Sequence, residues 1–198
     1  MELAMSVSHS KARSVVAAVP SSEPASAART VARAALEQVV ELVHRLVPSV
    51  AGGNNMPLIE AAYATGLVPV HPRSEAGAGF MANGIAWESK QPTLCIVITS
   101  VGVLGLMQAL YAAFVNRRPV VVLSGEVSAT GRGAVQAGDG WDGPSVTQAT
   151  RPFTAWSVDA VSAELAVRGL RRAVLLAAET MLPVHINIPL DIQKQRAS

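Results

Sequence analysis

Cysteine is nearly absent from this chain of 198 residues. The one present, Cys95, rules out an intramolecular disulfide framework. It lies inside the apolar run at residues 93–99, so it reads as a small core residue, and a lone unpaired thiol fits a reducing, cytoplasmic setting. Aromatic side chains are scarce too, at 4%, and they are not interleaved with the basic residues, so no stacking surface for nucleic acid is expected. Charged residues make up only 15% and nearly cancel, leaving a formal charge of +2. The small clusters Arg117–Arg118 and Arg168, Arg171 and Arg172 read as solvated helix faces and ends. The four histidines, His9, His44, His71 and His185, share no ligand-like spacing, so no structural metal site is expected.

Signals for membrane insertion or export are missing as well. Residues 93–115 carry no charge and are long enough to span a bilayer. The composition changes midway, however, from β-branched residues up to Thr99, through Ser100-Val101-Gly102, to helix-favouring residues from Leu104 onward. That pattern reads as a buried strand, a turn and a helix rather than one span. Near the N-terminus, Lys11 and Arg13 precede only a short apolar patch before Pro20, too short for the hydrophobic region of a signal peptide.

What is abundant is apolar surface. Half of the residues, 50%, are hydrophobic, and a chain of this length can bury roughly 70% of the surface it exposes when unfolded. Residues 1–27, rich in Ser and Ala with two prolines, are expected to be a disordered leader, residues 28–193 the domain, and residues 194–198 a tail. The spacing predicts a helix over 30–46 ended by Pro48, a strand over 49–51, a Gly-Gly-Asn-Asn loop and a helix opening at Pro57. Strands at 68–71, 94–99, 120–124, 155–158 and 184–188 then alternate with helices at 75–88, 104–116, 145–149 and 161–180. Several of these strands are continuously apolar, which predicts an α/β fold: a doubly wound, mainly parallel six-stranded sheet with helices on both faces. The Gly-rich connection at 125–143 is longer than a turn requires and is a candidate functional loop.

The candidate for chemistry is Glu75. It follows a strand and opens a Gly- and Ala-rich helix in the run H-P-R-S-E-A-G-A-G-F-M-A-N-G, residues 71–84. Open α/β sheets place their ligands at this position, beyond the carboxyl ends of the strands. As a purely structural residue, a Glu there would stabilise the helix dipole by about 0.3–1 kcal/mol.

The run resembles the Arg-x-Glu-x-x-Ala segment in the pyrimidine-binding domain of thiamine-diphosphate-dependent enzymes of the acetolactate synthase and 2-oxoacid decarboxylase type. The similarity extends over about residues 35–193 through ordered landmarks: A-G-G-N-N-M-P-L at 51–58, Arg73-Ser74-Glu75, Thr99-Ser100, R-P-V-V-V-L-S-G at 118–125, Thr150-Arg151, and I-P-L-D at 188–191. The resemblance implies that Glu75 is catalytic, activating the cofactor by sharing a proton with its pyrimidine ring. It also implies that Gly52, Gly53, Asn54, Ser100 and Gly102 contact the cofactor and that Asp142 lies near the substrate.

Three departures qualify the likeness. The family's His before the Glu is Ser74 here, its Ser-Gly-Pro-Gly turn is the shorter Ser100-Val101-Gly102, with Gly105 where synthases often have Asn, and its Phe-Gln-Glu is Trp141-Asp142-Gly143. These changes put the acetolactate reaction itself in doubt. Gly138-Asp139-Gly140 mimics the start of the family's magnesium and diphosphate motif, but no Asn lies between Asn116 and Asn187 to complete the ion's ligands, so no metal role is expected in this chain.

The chain ends seven residues past Asp191. The resemblance therefore implies a subunit, inactive alone, whose Mg2+ and diphosphate site is held by a diphosphate-binding partner in a heterodimer or heterotetramer acting on a small 2-oxo acid. Two other readings stay open. One is a noncatalytic regulatory or binding subunit with the same fold. The other is a flavodoxin-like nucleotide binder, which the absence of a G-x-G-x-x-G or Lys-Ser/Thr phosphate loop disfavours.

Overall fold

The computed structural model describes residues 29–128 and 145–197. The leader at 1–27 lies outside the described residues, as do Asp139 and Asp142. Among the described residues six strands are present: β1 (Leu46–Pro48), β2 (Val68–Val70), β3 (Thr93–Ile98), β4 (Val120–Glu126), β5 (Trp156–Asp159) and β6 (Val184–Pro189). The helices are α1 (Val31–Glu37), α2 (Met56–Ala64), α3 (Glu75–Ser89), α4 (Val101–Gly105), α5 (Met107–Val115), α6 (Val146–Thr150), α7 (Ala163–Thr180) and α8 (Leu190–Lys194).

All strand pairings are parallel, but the strands do not form one regular six-stranded ladder. They form a two-stranded sheet, β1-β2, and a four-stranded sheet in the order β3-β4-β6-β5. A parallel bridge between Ser49 and Ile96, with Val50 N–H donating to the Ile96 carbonyl at 3.0 Å, joins the two sheets edge to edge. The resulting order, β2-β1-β3-β4-β6-β5, reverses direction between β1 and β3. Such a reversal opens a crevice at the carboxyl ends of the two strands.

Every residue of β4 and β6 is buried, as parallel strands covered on both faces require. The period of two sorts their side chains. Leu94, Ile96, Val121, Leu123, Val184, Ile186 and Ile188 join the core under α1, α2 and α7, whereas Cys95, Val97, Val120 and Val122 pack with α3 and α5 on the opposite face. The β6 residues on that second face are His185 and Asn187, and both are fully buried.

Three local expectations are corrected. The first helix stops at Glu37, and residues 38–43 continue as turns closed by bonds such as Val39 N–H to the Leu36 carbonyl at 3.0 Å and Leu42 N–H to the Val39 carbonyl at 2.8 Å. Val39 and Val43 are buried all the same, so turns satisfy the apolar spacing as well as a helix would, and the β-branched Val39-Val40 pair disfavours helical backbone. The strand expected at 49–51 begins earlier, at Leu46, because Leu46, Val47 and Pro48 pair with Val68, Pro69 and Val70. The helix expected over 104–116 is two helices, α4 and α5, meeting at Leu106, whose N–H is shared between the Gly102 and Val103 carbonyls. At the far end, Ala197 N–H bonds the Arg29 carbonyl and Val31 N–H bonds the Gln195 carbonyl, tying the last described residues to the first.

Candidate active site

Glu75 is the first residue of α3, at the carboxyl end of β2. Its predecessor, Ser74, has extended backbone and caps the helix, its Oγ accepting from Gly77 N–H at 3.2 Å. A residue able to cap therefore stands where the family has His. The Glu75 side chain is half-buried and turns toward α4. A methyl group at Gly105 would lie 3.4 Å from Glu75 Cβ and 3.6 Å from Oε2, and one at Gly102 would lie 3.6 Å from Cγ. No hydrogen bond or ion pair engages the carboxylate among the described residues. Glu75 is thus presented beside a turn whose two glycines approach it closely, with its carboxylate oxygens unengaged among the described residues.

The other expected site residues converge on the same crevice. A methyl group at Gly102 would also meet Ile98 Cγ1 at 2.8 Å, and one at Gly52 would collide with Ile98 Cγ2. Ile98, the last residue of β3, therefore separates the loop after β1 from the turn after β3 by the thickness of one side chain. Ser100, 7% exposed, starts that turn with φ 51° and ψ −107°, a conformation that normally calls for glycine and costs about 1–3 kcal/mol elsewhere. Gly53 is exposed, with open space where a Cβ would be.

The Gly52 to Asn55 loop is held from three sides. Asn55 is fully buried, accepts from Gly52 N–H at 2.8 Å through Oδ1 and donates to the Val50 carbonyl at 2.9 Å through Nδ2. The Asn54 carbonyl accepts from Gln193 Nε2 of α8 at 2.8 Å. From below, Gly125 of β4 touches the Asn54 and Asn55 backbone, where any Cβ would overlap the Asn54 carbonyl oxygen. Asn54 therefore meets the core through its backbone, while Asn55 does the bracing.

Residues that the sequence reading left unassigned complete the site: Ile98, Gly105, Asn55, Gly125 and Glu126. Gly125 and Asn55 stand inside the quoted landmarks, so their signal was present. Nothing in the chain order links Ile98 to Gly52 or Gly105 to Glu75. Asp142 lies outside the described residues and so does Asp139. Among the described residues, no group of three or more His, Cys, Asp or Glu side chains is placed to hold a metal ion.

Comparison with known proteins decides the family. Residues 29–149 match the model of the thiamine pyrophosphate enzyme N-terminal TPP binding domain. The chain belongs to that family. It is 34% identical over 148 residues to the probable 2-ketoarginine decarboxylase of Pseudomonas aeruginosa, covering 72% of this chain and 26% of that protein. It is 29% identical over 143 residues to the mitochondrial acetolactate synthase catalytic subunit of Aspergillus candidus, covering 71% of this chain and 20% of the relative. The benzoylformate decarboxylase of Polynucleobacter necessarius shares the fold, with a TM-score of 0.77 and 19% identity over 86% of this chain and 32% of that one. The thiamine diphosphate-dependent 4-hydroxybenzoylformate decarboxylase of Rhodococcus jostii does so with a TM-score of 0.78 and 22% identity, over 85% and 32%. The thiamine pyrophosphate (thiamine diphosphate) domain seen here thus spans between a fifth and a third of the length of these relatives.

Proposed function

We propose that this chain is the pyrimidine-binding subunit of a heteromeric thiamine-diphosphate-dependent enzyme that acts on a 2-oxo acid, by decarboxylation or acyl transfer, and that a partner subunit holds the diphosphate and Mg2+. The observation that carries the reading is the Glu75 carboxylate, without a protein partner among the described residues and facing a surface bared by Gly102 and Gly105. A ring with a hydrogen-bonding nitrogen suits this carboxylate, because the two glycines let the backbone of the turn approach Glu75 closely and the carboxylate can meet the edge of a flat group. Bound thiamine diphosphate supplies a thiazolium carbon that adds to the carbonyl of the oxo acid.

In this reading Glu75 holds a proton on its carboxylate and shares it with a nitrogen of the bound pyrimidine. Gly52 and Gly53 let the loop backbone come close to the ring, and the turn at Ser100 and Gly102 forms the opposite wall. Asp142 is assigned to the substrate side. Exposed apolar side chains stand on α4 beside the glycines that approach Glu75, with Val101 70% and Leu104 56% exposed, and they are the surface on which the partner would seat to exclude water from the carboxylate. The name of the 2-ketoarginine decarboxylase relative supports a 2-oxo acid as substrate. Cys95, a buried free thiol and the chain's only cysteine, supports a cytoplasmic location.

The test is Glu75→Gln in the complex reconstituted with the diphosphate-binding partner. Gln keeps the size and one hydrogen bond, so folding and assembly stay intact. It offers no acidic proton, so proton–deuterium exchange at the thiazolium carbon and turnover of the oxo acid should fall by about two to four orders of magnitude. Wild-type exchange in this variant overturns the reading.

A further inference from the structure

Glu126 is the last residue of β4 and only 1% exposed, and a buried carboxylate of this kind needs a reason. Among the described residues, at least three donors converge on it. Oε2 accepts from Thr99 Oγ1 at 2.8 Å and from Asn187 Nδ2 at 3.1 Å, and Oε1 accepts from Val127 N–H at 2.8 Å. Asn187 is fully buried and oriented by Ser124, whose Oγ donates to Asn187 Oδ1 at 2.6 Å. The Asn187 amide nitrogen therefore faces the carboxylates, bonding Asp159 Oδ1 at 2.8 Å as well as Glu126.

Thr99 is the residue this cluster grips. Its side chain is bonded to Glu126, its N–H donates to the Gly125 carbonyl at 2.9 Å, and its carbonyl accepts from Gly102 N–H at 3.2 Å. The strained Ser100 lies between those last two anchors. A non-glycine residue keeps a positive φ only where its surroundings over-determine it. Here the fixed end of the turn is Thr99, and the free end carries Gly102 and Gly105 to the Glu75 carboxylate.

Resting on the proposed role of Glu75, we infer that Glu126 is a positioning residue for the reaction: its carboxylate clamps Thr99 and thereby holds the strained Ser100 turn that sets Gly102 and Gly105 against Glu75. The site needs a carboxylate rather than an amide, because Gln at this position would turn an N–H toward one of three donors.

The first measurement is amide hydrogen exchange on the isolated full chain. Thr99→Val, which removes the hydroxyl at nearly constant shape, should speed exchange at residues 100–106 tenfold or more while leaving residues 184–189 unchanged. Thr99→Ser, which restores the hydroxyl, should return exchange at 100–106 to the wild-type rate. Unchanged exchange at 100–106, or an equal rise across the chain, overturns the inference. In the assembled enzyme Thr99→Val should slow exchange at the thiazolium carbon about tenfold with KM for the oxo acid unchanged, and Thr99→Ser should rescue it. Glu75→Gln run alongside separates the two ideas. A slow Glu75→Gln with a wild-type Thr99→Val sinks the positioning role alone, whereas a wild-type Glu75→Gln sinks the functional reading and leaves amide exchange to decide the clamp.

Discussion

Gly125 and Asn54 meet backbone to backbone: at position 125 a Cβ would overlap the Asn54 carbonyl oxygen and lie 2.7 Å from Asn55 Cα. The end of β4 thus acts as the floor of the Gly52 to Asn55 loop. Gly125→Ala must push the loop upward, and overpacking of this kind costs about 1–3 kcal/mol. Urea unfolding of the variant should show a lower midpoint at unchanged slope.

Asn55 closes the same loop through its side chain. Asn55→Ala removes the acceptor for Gly52 N–H and the donor for the Val50 carbonyl. Losing a buried partner of this sort costs roughly 1–3 kcal/mol. Denaturant unfolding should register that loss, and amide exchange at Gly52 should accelerate more than exchange in β6.

His185 makes stability depend on pH. Burial pushes its pKa down from 6.5 to about 4, with nearby Asp159 opposing the shift. The unfolded chain therefore binds a proton that the folded chain refuses. The stabilisation is full above the unfolded value, drains away as pH falls from there toward about 4, and changes no further below it, for a total on the order of 3 kcal/mol. Between roughly pH 7 and pH 5, wild type should lose about 2 kcal/mol more than His185→Gln. Parallel urea curves for the two proteins would contradict the assignment.

Cys95 should be chemically silent in the folded protein. It is fully buried, and desolvation pushes its thiol up to about 12 from 9.0. Since the thiolate is the reactive form, labelling by an alkylating reagent at mildly alkaline pH should be at least a thousandfold slower than in denaturant. Mass spectrometry of the native chain before and after unfolding measures the ratio.

The placement of the candidate residues was largely readable in residue order because they stand where strands end. Glu75 after β2, Gly52 after β1 and Ser100 after β3 are each a local strand-to-helix boundary, and local composition marks such boundaries. The support beneath them was not readable. Ile98 separates Gly52 from Gly102, and Glu126 grips Thr99 from 27 residues away, yet neither shows a pattern that sets it apart from an ordinary strand residue. The α1 boundary failed for a related reason: Val39 and Val43 are buried as a helix would bury them, but the backbone there is turns.

Sequence alone determined the class of fold, since runs such as Thr93–Ile98 and Val120–Glu126 are apolar enough to be satisfied only between two layers of helix. It also determined that a carboxylate opens the helix after β2, because Glu75 is the first residue of a helix that Ser74 caps. Only the tertiary structure decided that β1 lies beside β3, joined through Ser49 and Ile96. Strand order follows from how the helices pack on the two faces, and it places Gly52, Ser100 and Glu75 around one crevice. The buried polar chain from Thr99 through Glu126 and Asn187 to Asp159 was decided the same way. Each of those side chains looks like an unpaired polar group until the four strands β3, β4, β6 and β5, brought side by side, supply its partners.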